Sequence, residues 1–141
     1  ISLSDTSEFD LGLGEEIDYI DWISFRVNVE NSIPLAAGLQ MVFTDNAYVP
    51  VDSLLQPYRY LIPAPNVDAN GHVVQPYREV YDIKYESARI RRIADAKHVI
   101  VRITMPTTEF NGAPVPVKIT TADKLRVRMG IHAKVSVKES F

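Results

Sequence analysis

A mainly β chain, folded as an antiparallel β-sandwich with one short helix as a connection, is what this sequence predicts, and three observations lead there. In the run Lys124 to Lys138, apolar residues (Leu125, Val127, Met129, Ile131, Ala133, Val135, Val137) alternate with Lys124, Arg126, Arg128, Gly130, His132, Lys134, Ser136 and Lys138. Successive side chains of a strand point to opposite faces, so this run predicts a long strand with one buried and one cationic face. A strand buried on both faces would read as an unbroken apolar run, so the sheets are expected to be half-buried and antiparallel. The second observation is a series of shorter alternating runs separated by turn signals. The third is that a single segment carries a helical period.

The elements follow in order. Residues Ile1 to Glu16, with Gly12 and Gly14 among scattered apolar positions, predict an arm or a short edge strand. From Asp21, Ile23, Phe25, Val27 and Val29 alternate with Ser24, Arg26, Asn28 and Glu30, a strand with one core face. Asn31-Ser32-Ile33-Pro34-Leu35 ends it, because Pro34 donates no ladder hydrogen bond and holds Ile33 extended. Gly38 to Thr44 predicts a second strand with Leu39, Met41 and Phe43 inward, expected to neighbour the first across this short connection; Asp45-Asn46 supplies the next turn.

The middle, Tyr48 to Tyr85, is rich in proline and tyrosine, and Gln56-Pro57-Tyr58-Arg59 recurs as Gln75-Pro76-Tyr77-Arg78. Two short copies are too few for a solenoid, so coincidence in a biased stretch is the simpler account. Asn70-Gly71 is a strong signal for a type I′ hairpin, which needs positive φ at both central residues. Were that hairpin long, Tyr60 would pair with Tyr81 and Arg59 with Asp82, although Pro63 and Pro65 oppose the register. Ser87 to Lys97 predicts the helix: Ile90, Ile93 and Ala94 fall on one side, with Arg89, Arg91, Arg92 and Asp95 around the axis and Ser87 as N-cap. A strand from His98 to Met105 follows, with Val99, Val101 and Ile103 inward. After it come a loop at Asn111-Gly112, a short strand from Val117 to Thr121 and the final long one.

The length of 141 residues suits one domain able to bury a core without staples. We expect residues 1–20 to form an acidic arm or edge strand and residues 21–141 a single β-sandwich domain. The net charge of −3 argues against a dedicated nucleic-acid binder. Its distribution is uneven, since Asp5, Glu8, Asp10, Glu15, Glu16, Asp18 and Asp21 precede the first basic residue, Arg26. The absence of cysteine removes disulfides, thiol catalysis and thiolate metal sites. No apolar run approaches the roughly 18 residues of a membrane span, and none of the chain's residues is expected to form a signal peptide. The chain opens on Ile1, and a fragment or processed form that has lost a leader or lipid anchor is expected.

No catalytic or metal-binding signature emerges. His72, His98 and His132 are isolated from one another and from paired acids, and no Gly-rich phosphate loop or Gly-x-Ser-x-Gly elbow occurs. Asp68-Ala69-Asn70-Gly71 lacks the further oxygen donors and closing glutamate of a calcium loop. We therefore expect no metal, no cofactor and no enzyme. A hydrolase would need carboxylates from different strands to meet in a cleft.

Two surfaces are candidates for binding. The first is the stripe Lys124, Arg126, Arg128, His132, Lys134 and Lys138, whose same-face residues repeat every ~6.8 Å. It suits a polyanion, but edge protection and pairing to acids on a neighbouring strand are the simpler account, and the acidic segment Asp5 to Asp21 lying over it would neutralise it internally. The second surface is aromatic. Tyr58, Tyr60, Tyr77 and Tyr81, in a segment that also holds Tyr48 and Tyr85, offer amphipathic rings for stacking on a sugar or a protein, while core packing accounts for them without a ligand.

The segments Val27-Asn28-Val29-Glu30-Asn31-Ser32-Ile33-Pro34-Leu35 with Gly38-Leu39-Gln40-Met41-Val42-Phe43, Ile62-Pro63-Ala64-Pro65-Asn66-Val67-Asp68-Ala69-Asn70-Gly71-His72-Val73, and Leu125 to Val135 resemble a β-sandwich domain of exported envelope lipoproteins of anaerobic Gram-negative bacteria. The Asn31 to Leu35 region is also loosely similar to the β-sandwich of water-stress late-embryogenesis-abundant proteins, with Ser32-Ile33 inserted before the proline. The resemblance implies an exported module, periplasmic or anchored at the outer membrane; we expect it to work by protein or surface interaction with another envelope component, through exposed strands and loops with the tyrosine-rich middle as contact face. The alternative is a module that binds glycans or small ligands through its surface tyrosines.

Overall fold

The computed structural model describes residues 2–55, 60–105, 109–110, 113–114 and 124–136, with the backbone alone at residues 60, 109, 110, 113 and 114. In chain order the elements are β1 (Ser2–Glu8), a 3-10 turn (Glu15–Tyr19), β2 (Ile20–Asn31), β3 (Ala37–Thr44), β4 (Pro50–Ser53), β5 (Tyr60–Ile62), β6 (Asn66–Val67), β7 (Val73–Gln75), β8 (Tyr77–Glu86), α1 (Ser87–Ile93), β9 (His98–Thr104), β10 (Glu109–Phe110), β11 (Ala113–Pro114) and β12 (Leu125–Val135). One sheet runs β1-β9-β3-β4, with β5 also on β3, a second runs β12-β2-β8, and β6-β7 and β10-β11 form two-stranded ladders; every pairing is antiparallel. The fold is the expected antiparallel β-sandwich with one short helix. The residues of the expected strand at Val117 to Thr121 lie outside the described ones.

The sheets meet through aromatic rings. Phe25 on β2, Phe43 on β3 and Tyr85 on β8 are fully buried, and Phe9 inserts beside them, with ring centroids 4.9–6.3 Å apart. Each such side chain contributes roughly 1.5–3 kcal/mol by leaving water. Phe9 also anchors β1, all seven of whose residues are exposed, so that this strand is held by its ladder to β9.

Several expectations are corrected. The strands at Asp21 and Gly38 are not ladder neighbours: β2 and β3 lie in opposite sheets and face each other. The connection is an arch because buried Asn31 organises it. Its Oδ1 accepts from the Ile33 amide at 3.0 Å, and its Nδ2 donates to the carbonyls of Leu35 at 2.9 Å and Pro63 at 3.2 Å. Central strand β3 is buried on both faces, not one. Its Gln40 is tolerated there because Nε2 donates to the Leu55 carbonyl while Oε1 accepts from the Leu55 and Met41 amides.

Gly71 takes positive φ (+82°) and Asn70 does not, so the β6-β7 loop is not type I′. Asp68 closes it instead, its Oδ1 accepting from the Asn70 and His72 amides. The hairpin is short. Tyr60 pairs with Leu39 of β3 and Tyr81 with Val27 of β2, so the long register joining Tyr60 to Tyr81 does not form. In α1, Glu86 and not Ser87 holds the cap position, without a side-chain cap bond, while Ile90 and Ile93 are buried as expected.

Candidate interaction surface

The outer face of the three-stranded sheet is set by two registers. Across β12, β2 and β8 the rows are Arg126-Glu30-Arg78, Arg128-Asn28-Val80, Gly130-Arg26-Asp82, His132-Ser24-Lys84 and Lys134-Trp22-Glu86. Six cations (Arg126, Arg128, Lys134, Arg26, Arg78, Lys84) thus share this face with three carboxylates (Glu30, Asp82, Glu86). Arg26 holds Asp82 by two bonds of 2.9 and 3.1 Å, and that hydrogen bonding keeps the Asp82 carboxyl below its ordinary pKa. Arg78 lies 3.6 Å from Glu30, and Lys84 sits 5.1 Å over the Trp22 ring. Among the described residues Arg126 and Arg128 make no ion pair. With Arg78, Asn28, Val29, Val80 and the carboxylates Glu30 and Glu79 they line an open trough of about 370 Å³.

The acidic segment does not cover the described part of this stripe. Asp5 and Glu8 lie on β1 in the other sheet, Asp10 pairs with Lys97 at 3.1 Å and Asp18 pairs with Arg91. Among the described residues only Asp21 makes an ion pair with the stripe, 4.0 Å from Lys134. Lys124 precedes β12, and Lys138 lies outside the described residues. The strand's other face is less buried than its alternation predicts: Leu125, Val127 and Met129 pack on the core, whereas Ile131 and Val135 are 46% and 55% exposed.

The four tyrosines do not form one platform among the described residues. Tyr77 and Tyr81 lie on the inward side of β8, half-buried against the core, with the Tyr77 hydroxyl donating to Glu79 Oε2 at 2.5 Å. The Tyr60 backbone belongs to the opposite sheet, and Tyr58 lies outside the described residues.

Two groups escaped sequence reasoning. Tyr48 has φ of +62° and stacks on His98 at 4.3 Å, in a turn held by Asp45 Oδ1, which accepts from the Ala47 and Val49 amides. Asp45 was the available signal, and the ring partner lies fifty residues on in the numbering. Asp52, its side chain 6% exposed, meets Arg89 at 3.1 Å and Arg92 at 3.5 Å. Arg89 also donates to the Ser53 carbonyl and the Tyr85 hydroxyl and lies over the Tyr85 ring. Burial, then the hydrogen bond to Asp52, pushes the Tyr85 hydroxyl pKa far up. The Arg89-Arg92 spacing on one helical face was the signal.

No three His, Asp or Glu residues among the described ones gather as a metal site, and no described helix is long and apolar enough to cross a membrane. The chain matches no protein-family model and no curated protein. Among solved structures it is similar to the subunit of T=1 particles derived from infectious bursal virus, at 6% identity and a TM-score of 0.51, over 94% of this chain and 25% of that one. A D431N mutant VP2 protein of infectious bursal disease virus, also in T=1 particles, gives 8% identity and a TM-score of 0.47 over the same shares. The chain thus spans about a quarter of the length of these neighbours, and the likeness to the first is one of β-rich fold.

Proposed function

We propose that this chain is a non-enzymatic interaction module whose contact surface is the outer face of the β12-β2-β8 sheet. One observation carries the reading: a broad exposed face combines an excess of cations with an open trough whose flanking Arg126 and Arg128 are unpaired among the described residues. Asp52, a carboxylate withdrawn from solvent, is committed to Arg89 and Arg92. Binding needs only the complementary surface, whereas catalysis would need a positioned acid, base or nucleophile. The resemblance of the Val27 to Phe43 and Leu125 to Val135 segments to an envelope lipoprotein domain supports an exported, envelope-associated setting with another envelope protein or surface component as partner.

A photoreactive phenylalanine analogue at Val80, inside the trough, tests the reading in cells that produce the protein. The expected outcome is a discrete protein adduct that is absent when the analogue replaces Arg102, an exposed residue of the other sheet. Equal labelling from both positions, or none from Val80, would overturn it.

A further inference from the structure

We propose that the Arg78-Arg126-Arg128 trough docks an acidic protein segment in extended conformation, a proposal that rests on the interaction-module reading and names the partner's chemistry. Arg126 and Arg128 are exposed, two residues apart on β12, and so stand ~6.8 Å apart on one face. That is the repeat at which an extended peptide presents carboxylates on alternate residues. The guanidinium fork favours bidentate capture of each carboxylate. Both arginines sit on the edge strand of their sheet, and Gly130, the next outward position, leaves open space where a side chain would stand.

The pattern of charge selects among anionic partners. Glu30 lies at the row of Arg126, Glu79 lines the same trough, and Asp82 holds Arg26, so a nucleic acid or a sulfated chain with charge at every unit would meet these carboxylates as well as the cations. A peptide with acids only at alternate positions sets charge against Arg126 and Arg128 and uncharged residues between them. Its intervening residues can meet the Asn28 amide and the half-exposed Val80.

The test is fluorescence anisotropy of the intact chain with a fluorescein-labelled peptide of alternating aspartate and serine, about ten residues long. At low ionic strength the peptide should bind saturably, and raising salt from about 50 to about 500 mM should weaken it at least about tenfold. Arg126→Gln with Arg128→Gln should also weaken it about tenfold or more, while Arg102→Gln leaves it unchanged. Arg126→Glu with Arg128→Glu should exchange the preference for that of a lysine-serine peptide, a gain that a misfolded variant would not show. Absence of binding, equal loss from Arg102→Gln, or tighter Arg126-dependent binding of heparin would each overturn the acidic-segment assignment. If the Val80 position still captures a protein while the peptide does not bind, the partner's chemistry fails and the contact face stands; if both fail, the face itself is wrong.

Discussion

Removing the Asp52 carboxylate should destabilise the sandwich by about 3 kcal/mol. A fully buried ion pair broken on one side costs about 3–5 kcal/mol, and a fully exposed one about 0.2–1. The side chain of Asp52 is 6% exposed and that of Arg89 26%, so the pair belongs near the lower end of the buried range. The contribution of Arg92 is smaller, since its side chain is 55% exposed at 3.5 Å. Asp52→Ala also strips a hydrogen-bond partner from the buried Tyr85 hydroxyl, while Arg89 keeps its bonds to the Ser53 carbonyl and that hydroxyl. Asp52→Asn keeps an acceptor and loses only charge, for an expected cost of about 1–2 kcal/mol. Urea unfolding followed by the fluorescence of Trp22, the single tryptophan, reads both values. A cycle with Arg89→Met should give a coupling of about 2 kcal/mol. A cost below about 0.5 kcal/mol for Asp52→Ala, or an additive cycle, would refute the view that this clamp ties β4 and β8 to α1.

Further outcomes follow from other contacts. Asn31→Ala should cost about 3 kcal/mol by urea unfolding, because two carbonyls and one amide of the arch lose their partner in a buried site. Since the Tyr85 pKa is raised on folding, its contribution is fully present below the unfolded value near 10 and is lost above it, so stability should fall by about 1.4 kcal/mol per pH unit there. Tyr85→Phe should flatten that alkaline decline, read by the same unfolding curves at several pH values. By carbon-detected NMR titration the Asp82 carboxyl should titrate below the ordinary 3.8 and return toward it in Arg26→Gln. At Tyr48, glycine removes about 1 kcal/mol of left-handed strain and a stacking contact of similar size, so Tyr48→Gly should be nearly neutral by thermal melting, and Tyr48→Val clearly destabilising.

The parts of the fold legible in sequence are those set by local period. The alternation at Ile23 to Val29 and at Val99 to Ile103 marks strands whose inward residues are the ones named, and Ile90 and Ile93 mark the buried side of α1. What period does not carry is the partner. Nothing local says that the arch at Asn31 changes sheets, because its outcome depends on the Pro63 carbonyl thirty-two residues away. Two-sided burial of β3 likewise follows from its central place between β9 and β4 with β5, and Gln40 reads as a surface residue until Leu55 is placed beside it. The basic stripe was legible as a face, but its relation to the acids was not: Asp10 and Asp18 find Lys97 and Arg91 instead, which leaves Arg126 and Arg128 open among the described residues. Tyr77 and Tyr81 share the β8 period that turns Tyr85 inward, so register, and not composition, decides that they pack on the core.

The most direct measurement of the contact face is an amide-resolved NMR titration of the nitrogen-labelled chain with the alternating aspartate-serine peptide at low salt. Shifts confined to Asn28, Glu30, Val80, Arg126, Arg128 and their ladder neighbours are the predicted result. Shifts centred on the β1-β9 edge or on the Tyr48-His98 stack, with the β12-β2-β8 face silent, would contradict it.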